Sequence, residues 1–236
     1  MNRPLALFDI DKTLYDGFSL FPLMQEQVAQ GQISADVLEK SQAVLELHKN
    51  DILKYEHFAK QLLDLFARGL KGQRTAEVGS LTDNFFAKSE DFYEYADPTI
   101  TLLGVDHEVV LVTAEPQFVA SAVAKRFGVR NFCNTVFATQ DGVFSGEVST
   151  YLAARQEKTR AINHLTAAHP WAGSLAFGDS EGDIEILDSV ETAICVNPST
   201  GLRHIANERG WAILNPHEQQ AFDPDSVGQK RQNLPR

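Results

Sequence analysis

Residues 5–11 read Leu-Ala-Leu-Phe-Asp-Ile-Asp, an apolar run that stops on two aspartates one residue apart, Asp9 and Asp11. A short apolar strand ending in acids narrows the choice of fold. The run calls for a sheet with covered faces, and the acids must emerge at that sheet's edge. On an extended chain, alternation puts Asp9 and Asp11 on one side and Ile10 on the other. Two carboxylates so close repel, which calls for a positive partner. Mg²⁺ is the first candidate, because it takes hard oxygen ligands in octahedral geometry.

Three stretches follow from periodicity. The first is a strand over Pro4–Ile10. The second, residues 18–95, reads as all-helical: Phe21, Met24 and Val28 recur at helical spacing, as do Tyr55, Phe58 and Leu62, with Gly31 and Gly69 as punctuation. The third, residues 97–215, alternates helices and short strands. Asp97-Pro98 reads as a helix cap followed by Pro at the first position, with Gly104 as the stop. Glu108–Thr113 is a buried-strand run, followed by a helix over 116–127 that ends at Gly128. Thr135–Ala138 and Val143–Glu147 flank Asp141-Gly142, a hairpin signal. A helix over 156–168 and strands at Ser174–Phe177, Thr192–Val196 and Trp211–Leu214 complete the pattern. This repetition predicts an α/β fold: a mostly parallel sheet with helices on both faces, interrupted by one long helical insertion after the first strand. The segment from Pro216 is polar and reads as a loose or lightly packed tail.

Composition removes several classes of function. The chain has 236 residues, enough for one good-sized core plus a smaller unit. Its net charge of −11 argues against binding nucleic acid or an acidic membrane, so an anionic substrate would need a local positive field. Cys133 and Cys195 form no zinc spacing and fit a reducing compartment. The first apolar run breaks at Asp9, too early for a signal peptide, and no stretch reaches membrane length; a cytoplasmic location is the expectation.

Open α/β sheets present ligands beyond the carboxyl ends of their strands. Asp11 and Thr13 follow the first strand, and Thr113 ends the second. Gly178-Asp179-Ser180-Glu181-Gly182-Asp183 follows the strand at 174–177, and Lys158 starts the helix before it. Each residue has an ordinary alternative. Ser180 and Asp183 fit a capping box, Thr113 fits a strand-end hydroxyl, and Lys158 fits a solvated helix lysine.

Together these residues make the chain resemble the haloacid dehalogenase-like superfamily, in its phosphoserine-phosphatase-type branch. Asp9-Ile10-Asp11-Lys12-Thr13 matches the DxDxT motif and Val110–Thr113 an apolar run ending in a hydroxyl. Lys158 matches an isolated lysine, and 178–183 matches the acidic GDSxxD motif. The resemblance covers residues 5–215. It implies a Rossmann-like core of residues 1–16 and 96–215, a helical cap of residues 17–95 and a tail of 216–236. It also implies an Mg²⁺-dependent phosphatase acting on a small phosphorylated metabolite through an aspartyl-phosphate. Asp9 is then the nucleophile and Asp11 the acid and base. Asp9, Asp11 (by its main-chain carbonyl), Asp179 and Asp183 serve the metal. Thr113, Ala114, Lys158 and Phe18 face the substrate. Phosphoserine phosphatases carry a Glu where this chain has Phe18, which argues against phosphoserine itself. A phosphotransferase or mutase using the same phospho-aspartate is the alternative, with a phospho-acceptor switch the remaining one.

Overall fold

In a computed structural model, the described residues are 2–153, 155–218 and Phe222. The first half of the chain forms β1 (Leu5–Phe8), then α1 (Leu20–Ala29), α2 (Ala35–Lys49), α3 (Tyr55–Gly69), α4 (Thr75–Lys88) and α5 (Ala96–Leu103). Then come β2 (Glu108–Pro116), α6 (Gln117–Phe127), β3 (Asn131–Gln140), β4 (Val143–Thr150) and α7 (Arg155–Ala168). The last part holds β5 (Leu175–Gly178), α8 (Ile184–Asp188), β6 (Thr192–Val196), α9 (Thr200–Arg209) and β7 (Ala212–Leu214). Among the described residues seven strands, mostly in parallel pairs, and these helices make a Rossmann-like α/β fold. Among the described residues no helix is long and apolar enough to cross a membrane.

The chain groups into two compact units. The first comprises residues 1–17, 91–112 and 158–236, and the second 18–90 and 113–157. In the first unit the strand order is β2-β1-β5-β6-β7, every pair parallel. β1 is central, and all four of its residues are buried. That is why it reads as an unbroken apolar run rather than an alternating one. Phe8 and Phe177, register partners on β1 and β5, stack with ring centroids 4.3 Å apart. Burying each such side chain contributes roughly 1.5–3 kcal/mol.

The second unit combines α1–α4 and α6 with the β3–β4 hairpin. Its core is aromatic: Phe118 meets Phe66, Phe137 and Phe144 edge to face, with centroids 5.6–5.8 Å apart. At the hairpin turn both Asp141 and Gly142 have positive φ, 52° and 77°, the primed-turn backbone expected of Asp-Gly. Both strands run longer than their apolar cores because the antiparallel pairing continues through two irregularities around Phe137.

Several boundaries differ from expectation. β1 ends at Phe8, although Asp9 N–H still donates to the Phe177 carbonyl at 3.1 Å. α5 starts at Ala96 with Tyr95 as its cap residue, so Asp97 and Pro98 lie inside the first turn. Gly69 is the last residue of α3 and does not stop it by a left-handed turn; the positive φ falls at Gly72, 85°. Most of the tail at 216–236 lies outside the described residues. Phe222, which is described, is buried and packs edge-on against Phe177 at 5.1 Å. An aromatic side chain therefore anchors that point of a segment read as loose.

Candidate active site

Asp9 and Asp179 each follow directly on a central strand, β1 and β5, which are adjacent and parallel. Their carboxylates therefore emerge side by side at the sheet's carboxyl edge. Asp183 joins them four residues on, at the end of a single tight turn, Glu181–Asp183. One carboxylate oxygen from each of Asp9, Asp179 and Asp183 lies within 4.8 Å of the others, and all three residues are buried. Lys158 reaches the same place from α7. Its Nζ stands 2.6 Å from Asp183 Oδ1 and 3.3 Å from Asp9 Oδ1, and the residue is 1% exposed. Taken alone, Lys158 also fitted a solvated helix residue; the structure buries it among carboxylates, where the family resemblance expected it.

Asp183 uses both of its oxygens. Oδ1 takes the ammonium, while Oδ2 accepts from the N–H groups of Asp179 and Ser180, at 3.2 and 3.1 Å, and from Ser180 Oγ at 3.1 Å. The capping box read from the sequence is formed, and the same side chain fixes the turn that aims Asp179. Gly178 makes this possible. A Cβ there would lie 2.5 Å from Asp183 Cβ and 2.8 Å from its Cγ. We expect Gly178→Ala to displace Asp183, to cost about 1–3 kcal/mol in urea unfolding, and to weaken activity with it. Unchanged stability would show that the turn yields freely.

Electrostatics follow from burial. Desolvation pushes Asp9 up to about 8; Lys158 opposes this, and the negative charges of Asp183 and Asp11 add to it. Burial, then Asp183 and Asp9, hold Asp179 well above the usual carboxylate range. Three buried carboxylates face one buried ammonium, so the group is short of positive charge. A hard divalent cation fits this all-oxygen donor set and supplies what is missing.

Beyond Asp9 the chain leaves the strand, so strand alternation does not govern Asp11. Ile10 carbonyl accepts from Thr13, Leu14 and Tyr15 N–H at 3.2, 2.8 and 2.9 Å. Lys12 takes a left-handed φ of 55°, held by its N–H on Gly17 carbonyl at 3.1 Å. Asp11 is half-buried and outside the three-carboxylate group, yet close enough for its charge to act on Asp9. Thr13 supports this turn through its main chain: its carbonyl accepts from Tyr95 Oη.

The remaining expected residues belong to the second unit. Thr113 is buried on β2, its Oγ1 accepting from Glu115 N–H at 3.2 Å, and half-buried Ala114 follows it. Phe18 packs edge-on to Phe21 and Phe58, at 6.3 and 5.4 Å.

Sequence reasoning missed the support around Asp179. Its carbonyl accepts from Ser199 N–H at 2.8 Å. Ser199 caps α9 and donates its hydroxyl to Glu181 at 2.9 Å, and Gly201 leaves space for that carboxylate. Ser199 before an apolar helix position is a readable cap; its tie to Asp179 is not. Tyr93 and Tyr95 were also missed; both lie in the first unit.

A family model described as haloacid dehalogenase-like hydrolase matches residues 6–188. With two central strands delivering clustered acids, this chain belongs to the haloacid dehalogenase-like hydrolases. A probable phosphatase of Mycobacterium tuberculosis is 27% identical over 227 residues, covering 90% of this chain and 75% of that protein. A Bordetella pertussis protein of unknown function superposes with a TM-score of 0.75 at 26% identity, covering 92% of this chain and 100% of the other. A substrate-bound phosphoserine phosphatase shares the fold, with a TM-score of 0.68 at 17% identity over 94% and 95% of the two chains. The family assignment makes the chain a hydrolase of that family.

Proposed function

We propose that this protein hydrolyses a small phosphomonoester through an aspartyl-phosphate on Asp9, with Mg²⁺ as its cofactor. The observation that carries this is the buried group of Asp9, Asp179 and Asp183 closed by Lys158. In this reading residues 1–16 and 96–215 make the hydrolase core and residues 17–95 a cap.

The obstacle is electrostatic. A carboxylate approaching a phosphate dianion at 4 Å meets roughly 8 kcal/mol of repulsion at an effective dielectric of 20. Asp9 and Asp179 by carboxylate oxygens, and Asp11 by its carbonyl, would hold Mg²⁺. Asp183, both oxygens engaged, holds Asp179 and Lys158 in place. Held there, a cation would offset the negative charge of the phosphate and keep Asp9 ionised. Asp9 attacks phosphorus, and the ester oxygen departs. Asp11 protonates that oxygen and later takes a proton from the water that releases phosphate. Thr113, the Ala114 main chain and Lys158 bind phosphoryl oxygens, while Phe18 meets the leaving group.

The test is a screen of phosphorylated metabolites for phosphate release with Mg²⁺ present, phosphoserine included. No release from any monoester would end this reading. A transferase or mutase would instead return phosphate to an organic acceptor. Asp11→Asn should slow alkyl phosphates about 10²-fold or more and p-nitrophenyl phosphate much less, since a good leaving group needs little protonation. Equal slowing of both would remove Asp11 as the acid.

A further inference from the structure

Tyr93 holds the loop that follows β1 at the sheet's carboxyl edge. Its Oη donates to Asp16 Oδ1 at 2.9 Å, and its main-chain N–H donates to Leu14 carbonyl at 2.9 Å. The Asn197 side chain lies near the same phenol. Asp16 and Leu14 belong to the loop that carries Asp11. Asn197 begins the loop after β6, where Ser199 N–H holds Asp179 carbonyl at 2.8 Å. Tyr93 thus ties down the loop behind Asp11 and stands beside the loop behind Asp179.

The Asp11 loop depends on such outside ties. Outside β1 it has no regular ladder, and it contains a left-handed Lys12, a conformation that an L side chain keeps only when its surroundings impose it. Lys12 is held by Gly17 carbonyl, and Gly17 itself sits at φ 113°. Asp16, next to Gly17, is fixed twice: by Tyr93 Oη, and by its own N–H on Asp91 carbonyl at 2.8 Å. Tyr15 Oη reaches Asp91 Oδ2 at 2.8 Å, so residues 14–16 and 91–93 form a short clamp. Release of Asp16 from Tyr93 loosens the closing end of the Lys12 turn, one residue from Asp11.

We infer that Tyr93 is a positioning residue, acting through Asp16 to fix the loop that presents Asp11. The inference rests on the phosphatase reading for its kinetic consequence, though not for its structural one. A misplacement near 1 Å of a reacting group costs up to about 10²-fold in rate. Tyr93→Phe keeps the ring packed on His217, 5.2 Å away, and leaves only an exposed carboxylate without its donor. Its melting temperature should therefore stay within about 2 °C of the parent.

The experiment pairs kinetics with amide hydrogen exchange on Tyr93→Phe, Asp16→Ala, Asp16→Asn and the double variant Tyr93→Phe/Asp16→Ala. The expected result is about a tenfold lower kcat on alkyl phosphates for Tyr93→Phe and for Asp16→Ala. KM and turnover of p-nitrophenyl phosphate should change less than about threefold, because a good leaving group needs little help from Asp11. The double variant should be no worse than either single one, and Asp16→Asn, which retains an acceptor for the phenol, should keep most of the rate. Amides of residues 11–17 should exchange faster in Tyr93→Phe. Parental exchange in that segment overturns the inference even if the protein hydrolyses no phosphomonoester at all. Faster exchange with parental kinetics on both substrate types in an active enzyme also overturns it, as does equal loss on both.

Discussion

Asp9→Asn should lower steady phosphate release by at least about 10³-fold, because the amide neither attacks phosphorus nor forms the acyl phosphate. The fold should survive. Asn is nearly isosteric with the protonated carboxyl that burial favours at this position, where desolvation lifts Asp9 to about 8. The substitution also removes one of three crowded carboxylates, so without added metal the variant should melt no lower than the parent at pH 8.5, and above it if the repulsion is strong. Phosphate release and thermal melts on the same preparations check both halves. Substantial turnover by the variant would transfer the nucleophile's role to another residue.

Chelation by EDTA should abolish activity, and Mg²⁺ should restore it with a stabilisation that depends on pH. Asp9 and Asp179 both have folded-state pKa values above the ordinary carboxylate value. The stability their protonated forms contribute is complete below about pH 4, the unfolded value, and is lost as pH rises through the folded value, about 8 for Asp9. A cation competes with those protons. At pH 8.5 it meets ionised carboxylates and relieves their repulsion, whereas at pH 5.5 it must first displace protons. At 100 times its dissociation constant a ligand stabilises by about 2.7 kcal/mol, which corresponds to roughly 5–10 °C in a chain of this size. We expect a rise of that order at pH 8.5 and less than half of it at pH 5.5. An equal rise at both values would show that the ion binds elsewhere.

The resemblance of this chain to its family rests on short motifs, and these differ in how well the sequence announced them. Asp9 was legible because an acid that ends a four-residue apolar run seldom has a purely structural role. Asp183 was legible as a capping residue, and the capping and the charge contact prove to be one arrangement, with one oxygen for each. Lys158 was legible only through the family's set of motifs: nothing in Arg155–Ala168 by itself distinguishes a buried ammonium from a solvated one, since the difference lies in what packs over it. Tyr93 and Tyr95 were invisible for a related reason. Their hydroxyls serve Asp16 and Thr13, 77 and 82 residues away in sequence, and no local periodicity encodes such distant hydrogen bonds. Asp97-Pro98 misled because the helix begins two residues earlier, with Tyr95 in the cap position.

By itself the sequence determined the class of the fold and where its acids emerge. An unbroken apolar run demands a central parallel strand, and the chain must turn where Asp9 and Asp179 end such runs, because bare carboxylates cannot continue into a dry sheet. Only the tertiary structure decided that those acids share one buried space with Lys158. Burial raises their pKa values and creates the need for a cation, and burial belongs to the packed whole rather than to any one segment.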